Sequence, residues 1–325
     1  MGTPPAVAAQ TIADAVAEAW HGHHGSGRCE IAVGTVAGLA LLWPEPGTET
    51  ELAARLTSMD GPQLIQVLER IWALRWLGDP YLVDTAHPIR TWLEQDLPEQ
   101  AIVGVRAVAA AAMRHGLLQL TRGADPYGRA EADVLGPLIT AFRPRSAYTE
   151  RGQIHTPQDL AEVLARLAFL DLPAPGASFD DPAAGSGGLM RAAAQVLRDA
   201  GRDPADHLWS MGDIDPLSAA CCATNAMIWG LGPSVLIFHG NTLAQGDGPR
   251  LATQRRAEVL AHHANVVGAA RIMAATLRAE RLLLQPLTAP GAPAASSPGH
   301  TCPPVRRPPG RGQRRRPSRR ERADG

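Results

Sequence analysis

At 325 residues, 45% of them hydrophobic, with a formal net charge of −1, the chain has material for about two domains and an ample core. Every basic residue is Arg, and nine of them lie in 306–325 against Glu321 and Asp324, which leaves the rest of the chain near about −8. Residues 1–20 lack the basic and continuously apolar stretches of a secretion signal, the apolar run 31–43 is too short to span a bilayer, and no C-x-x-C spacing supports a zinc site or disulfide framework, so a soluble cytoplasmic protein is expected.

Residues 1–48 read as a flexible N-terminal segment. His21, His23 and His24, with Cys29 nearby, could suggest metal ligands, but Gly22, Gly25, Ser26 and Gly27 around them read as a flexible loop, and no metal is assigned. Residues 49–147 read as a helical N-terminal domain. Apolar repeats near the helical period run through Glu49–Thr57, Gly61–Trp76, Pro88–Leu97, Glu99–Leu120 and Asp133–Phe142. Asp60-Gly61-Pro62, Gly78-Asp79-Pro80 and Asp96-Leu97-Pro98 punctuate them. The basic link from Arg143 to Arg151 follows.

Residues 148–285 carry an alternating pattern of helices and strands. Thr156 as N-cap and Pro157 at the first helical position open a helix over Gln158–Phe169, with Leu160, Val163, Leu164 and Leu167 on one face. A short buried strand at Ala177–Phe179 runs into Asp181, then the turn Pro182-Ala183-Ala184-Gly185-Ser186-Gly187-Gly188, then a helix over Leu189–Ala200. Glycines lacking a Cβ let a ligand approach the backbone, and the helix start offers unpaired N–H groups and the positive end of its dipole. A second strand, His207–Gly212, ends in Asp213 and Asp215, where a carboxylate can accept from both ribose hydroxyls of a nucleoside. Pro216 starts a helix over Leu217–Trp229, and a third strand, Ser234–His239, ends at Gly240-Asn241. This βαβαβ order predicts a parallel, doubly wound sheet with its ligand at the carboxyl ends of the strands. Residues 249–284 read as one long helix, and residues 286–325 as a disordered Arg/Pro-rich tail. Such a tail could bind nucleic acid through its phosphates.

Four blocks in order carry a family resemblance. Asp181-Pro182-Ala183-Ala184-Gly185-Ser186-Gly187-Gly188 resembles motif I of S-adenosylmethionine-dependent DNA adenine-N6 methyltransferases, above all the modification subunits of type I restriction systems. Gly152-Gln153-Ile154-His155-Thr156-Pro157, Gly212-Asp213-Ile214-Asp215-Pro216 and Gly240-Asn241-Thr242-Leu243 resemble three further blocks of that family, and Asp133-Val134-Leu135-Gly136 matches it weakly upstream. The resemblance implies an α/β fold, a partial Rossmann-like methyltransferase sheet after an all-α N-terminal domain, with S-adenosyl-L-methionine as cofactor and DNA as partner. It implies that Gln153, His155, Thr156 and Pro157 close the methionine end, and that Asp181 holds the methionine amino group. Gly185, Gly187 and Gly188 would shape the turn, Asp213 would hold the ribose, Asn241 would take the adenine amine, and Ala183, Ser186 and Ile214 would also belong to the cofactor site. Asp213 is preferred to Asp215 because it aligns with the family's acidic residue.

The family also carries an [NDS]-P-P-[FYW] loop, whose amide or carboxylate and proline carbonyl accept the adenine amino hydrogens while the aromatic ring stacks on the extruded base. Here the Pro-Pro pairs are Pro4-Pro5, Pro303-Pro304 and Pro308-Pro309, none followed by an aromatic residue, so no catalytic residue is named. Two readings follow: a modification-subunit-type methyltransferase helped by a specificity or catalytic partner, or a truncated or non-catalytic cofactor-binding protein that works through a partner. A third reading, an RNA or small-molecule methyltransferase, is opposed by the Gly152–Pro157 block.

Overall fold

The computed structural model describes residues 3–25, 27–143, 156–242 and 244–284. The chain divides into two compact units, residues 1–271 and 272–325. Among the described residues the first unit opens with α1 (Pro5–His24), α2 (Cys29–Ala40), α3 (Glu49–Ser58), α4 (Gly61–Gly78), α5 (Pro80–Thr85), α6 (His87–Arg90), α7 (Glu99–Arg114), α8 (Leu117–Leu120), α9 (Pro126–Arg129) and α10 (Leu135–Phe142). There follow α11 (Gln158–Ala168), β1 (Ser178–Asp181), α12 (Gly188–Asp199), β2 (Leu208–Asp213), α13 (Pro216–Ile228), β3 (Val235–His239) and α14 (Gly248–Leu284). The expected α/β class holds: all three strands are parallel in the order β1-β2-β3, with Ser178 beside Leu208 and Trp209 beside Val235.

The expectation of a flexible segment over 1–48 is corrected. Ile12, Val16 and Trp20 are fully buried on one stripe of α1, which packs on α7 and α10. Every residue from Ile31 to Ala40 is buried, so α2 is apolar all round because it runs through the core. The glycine-flanked histidines close α1 rather than sit in a loop: His24 stacks on the Trp20 ring with centroids 4.5 Å apart, and His21 meets Phe142 edge-on at 5.5 Å. Two other expectations shift. Glu99–Leu120 divides into α7 and α8 at Gly116, which adopts φ 89°, and Pro88–Leu97 forms only α6 and a 3-10 turn at Thr91–Glu94.

α13 joins the helical layer to the sheet. It packs on β2 and β3 and also on α2, α5, α6 and α10, and Ser218–Ile228 are all buried. Tyr81 of α5 finishes the β3 edge: its hydroxyl donates to Ile237 O at 3.0 Å and accepts from Ile237 N at 2.9 Å. That reproduces what a neighbouring strand would supply. On α11 the predicted apolar face is turned outward. Ala161 and Ala165 pack against Ala192 of α12, because small side chains let the helices approach closely, while Leu160, Val163, Leu164 and Leu167 are exposed. Of the second unit, residues 272–284 are described; they are helical, with Ile272, Met273 and Leu277 exposed. Among the described residues no helix is long and apolar enough to cross a membrane. Of the expected 286–325 tail, no residue lies among those described.

Candidate functional site

The three strands end side by side, and their carboxyl ends build one cleft. After β1, the Asp181 carboxylate accepts from Ala183 N at 3.1 Å and starts the turn. Ala184 N donates to Gly212 O at 2.8 Å, which ties the turn to β2, and Gly187 N donates to Ala184 O at 2.8 Å. Gly187 adopts φ 93°, where a Cβ would also press on Cys222 Sγ and the Trp229 ring at 3.2 Å. α12 then begins with no side-chain cap, so its first N–H groups stand available at the turn.

The two acids after β2 have separate tasks. Asp213 accepts from Gly185 N at 2.9 Å and from Asp215 N at 2.8 Å, so its carboxylate fixes both the glycine turn and its own loop. Each oxygen keeps a further lone pair. Asp215 instead caps α13, accepting from Leu217 N, Ser218 N and Ser218 Oγ, and pairs with Arg143. Its acceptors are spent on structure. After β3, Asn241 Oδ1 accepts from Ala244 N at 3.1 Å, and Thr242 Oγ1 donates to Pro182 O at 2.9 Å, which closes the third loop onto the first.

The resulting cleft has a volume of about 750 Å³. Of the residues expected at a site, Thr156, Pro157, Ala183, Gly185, Ser186, Gly188, Asp213, Ile214 and Asn241 line it. Asp181 and Gly187 stand behind the lining, where they shape the turn. Gln153 and His155 lie outside the described residues.

Sequence reasoning missed the opposite wall, made by the helical layer. Ala6 and Gln10 of α1, Gly136, Pro137 and Thr140 of α10, with Asp133 and Arg143, all face the cleft. The one available signal was the Asp133–Gly136 tetrapeptide; nothing local marks Ala6 or Gln10. Arg191 of α12 is a second omission. It is 1% exposed, donates to Ala130 O at 2.8 Å and pairs with Glu162 at 2.9 Å.

Two carboxyls near the cleft are displaced in opposite directions. Burial, then the charges of Asp180 and Asp213, raise Asp181 above its ordinary value against the hydrogen bond from Ala183. Burial also raises Glu162, but the hydrogen bonds from Arg191 and Gln158 with the charges of Arg191 and Arg166 outweigh it, and the group ends below 4.5.

The model of the N-6 DNA Methylase family matches residues 132–262. This segment begins beside Asp133 and contains every strand of the sheet and the whole glycine turn. A type I restriction-modification system methyltransferase subunit from Streptococcus thermophilus is similar in structure, at a TM-score of 0.39 and 16% identity over 72% of this chain. The chain spans 59% of the length of that subunit. No curated protein matches the chain by sequence.

Proposed function

We propose that the cleft takes S-adenosyl-L-methionine and that the chain is the cofactor-binding part of a cytoplasmic, restriction-modification-type DNA adenine-N6 methyltransferase. The observation that carries this reading is the convergence of the glycine turn, Asp213 and Asn241 at the carboxyl ends of three parallel strands, in a cleft of about 750 Å³. The residues present fit the cofactor. Gly185 and Gly188 leave the backbone bare for close approach, the uncapped start of α12 suits a carboxylate, and the free lone pairs of Asp213 suit two ribose hydroxyls. Asn241 would accept from the adenine amine through its side-chain oxygen, and Thr156 with Gln153 and His155 would close the methionine end. Asp181, which starts the turn from behind the lining, would act on the cationic amino group through its charge.

When bound, S-adenosyl-L-methionine supplies a methyl group on a sulfonium, poised for direct transfer. The residues of this chain bind and orient it. Among the described residues lining the cleft none is aromatic, and no Pro-Pro pair of the sequence precedes an aromatic residue. That observation favours a second reading, in which the chain binds the cofactor and a partner subunit completes methyl transfer to DNA. Titration calorimetry with S-adenosyl-L-methionine tests the common part, and transfer of labelled methyl groups to adenine-containing duplex DNA separates the two. Uptake with transfer supports the complete enzyme, and uptake without transfer supports the partner-dependent one. A chain that takes up no S-adenosyl-L-methionine refutes both.

A further inference from the structure

The glycine turn is also held from the side of the helical layer. Asp133, just ahead of α10, accepts through Oδ1 from Leu135 N at 3.1 Å, Gly136 N at 2.9 Å and Asn225 Nδ2 at 2.9 Å. Its other oxygen accepts from the Ser186 hydroxyl. Asn225 of α13, itself 1% exposed, gives a further amide hydrogen to Ser186 O at 3.0 Å. Ser186 is thus gripped at its hydroxyl by a residue 53 positions away and at its carbonyl by one 39 positions away.

Two details set this apart from ordinary packing. At Gly136 a Cβ would lie 2.3 Å from Asp133 Oδ2 and 2.7 Å from Ser186 Oγ, so the contact exists only because glycine leaves that space open. The buried Asn225 Oδ1 has no hydrogen-bond partner among the described residues. An unpaired buried acceptor is unfavourable, so what Asn225 contributes here is its donor side.

We propose that Asp133 is the positioning residue of the cofactor turn, acting through Ser186 and supported by Asn225. It holds Ser186 so that the turn between β1 and α12 has its ligand-ready shape before the ligand arrives. Ordering the turn during folding removes that entropic cost from binding. Asp133, Gly136 and Ser186 all line the cleft, so this grip also makes one wall of the site out of the helical layer. The inference rests on the reading that the cleft takes S-adenosyl-L-methionine.

The test uses the full chain with Asp133→Asn, Ser186→Ala and the double variant. Each is titrated with S-adenosyl-L-methionine, and amide hydrogen exchange across 183–189 is followed in the free protein. Each single variant is expected to weaken uptake roughly tenfold, the magnitude of a coupling between contacting residues, and to speed exchange in the turn. The double variant is expected to be no worse than the weaker single variant, since both cut the same link. A merely structural Asp133 would instead lower the thermal midpoint and leave the affinity of the folded fraction and the turn exchange unchanged, which overturns the proposal. Effects that simply add overturn it too. If the wild-type chain takes up no S-adenosyl-L-methionine, the functional reading fails and this one with it; if the wild type does and both variants match it, only this one fails.

Discussion

Replacing Asp213 with Asn asks most directly whether the second strand's acid holds a nucleoside. The carboxylate accepts two backbone N–H groups, at 2.9 Å from Gly185 and 2.8 Å from Asp215, one on each oxygen. Hydrogen bonds to a charged group contribute roughly 1.5–3 kcal/mol each when shielded, and less at a half-exposed position such as this. Asn keeps one acceptor oxygen and presents an amine where the other stood, so one of the two backbone bonds is lost. The expected cost in the free chain is about 1–2 kcal/mol, a few degrees of thermal midpoint for a protein of this size. The effect on the ligand adds to this, because the remaining lone pairs would accept from ribose hydroxyls. Loss of one such bond, with imperfect replacement by the amine, is worth about 1.4–2.8 kcal/mol, or ten- to a hundredfold in Kd for S-adenosyl-L-methionine. Calorimetry well below the variant's thermal midpoint separates the two effects. A folded Asp213→Asn chain that binds within about twofold of wild type refutes the ribose assignment. Asp215→Asn is the natural comparison, and it should destabilise α13 with little change in affinity, since its acceptors serve the cap and Arg143.

Asp181→Asn is expected to stabilise the free chain at neutral pH. A carboxyl raised by burial penalises the folded state once pH climbs past its unfolded value of 3.8, and Asn can still accept from Ala183 N. The same change should weaken S-adenosyl-L-methionine uptake, and denaturant titration beside calorimetry would expose an error if both move together. Glu162→Gln acts in the other direction. A depressed carboxyl contributes stability that is present above 4.5 and lost as pH falls below it, so wild type should lose its advantage over the variant in that window. Acid unfolding curves that run parallel through it contradict the Arg191 pairing. Tyr81→Phe leaves Ile237 N and O without a partner at a site where Tyr81 is 5% exposed, and should cost about 1–3 kcal/mol in urea unfolding.

What could be read from the sequence is what local chemistry writes locally. Gly185 and Gly187 announce a turn because positive φ demands glycine, and both adopt it. Pro216 behind Asp215 announces a helix start, and Asp215 caps it. The three strands fell within a few residues of their observed ends, β1 being read at 177–179 and found at Ser178–Asp181. At the N-terminus the glycines beside His21 to His24 resemble a loop locally, while the stripe Ile12, Val16, Trp20, with the spacing of four of a buried helix face, sets the structure. The expected leucine face of α11 shows the reverse error: periodicity reveals which face is apolar, while the neighbour chose the alanines. The far wall of the cleft was beyond reach for another reason. The contacts of Asp133 with Ser186 and Asn225 join positions 53 and 92 apart, and no local pattern records such a meeting.

Those long-range contacts bear on how much of the chain the cleft needs. Three short strands are a small sheet, and a parallel sheet depends on covered faces for its stability. Here α13, the helix that covers β2 and β3, is itself buried largely by residues before 143. α2, α5, α6 and α10 pack on α13, Tyr81 finishes the β3 edge, and Arg129 reaches Ile228 O at 2.9 Å from beneath Trp43, whose ring also carries Arg75. The Tyr81 and Arg129 contacts are polar hooks set into an apolar seam, and removing either side chain would take a hydrogen-bond partner from the backbone of Ile237 or Ile228. Residues 156–271 alone, though they contain the glycine turn, Asp213 and Asn241, should therefore lack a fixed core. The expected product binds a hydrophobic dye, shows little near-ultraviolet dichroism and takes up no S-adenosyl-L-methionine. A fragment that folds cooperatively and binds as the full chain does would mean that the sheet carries its own stability and that the helical layer serves some other purpose.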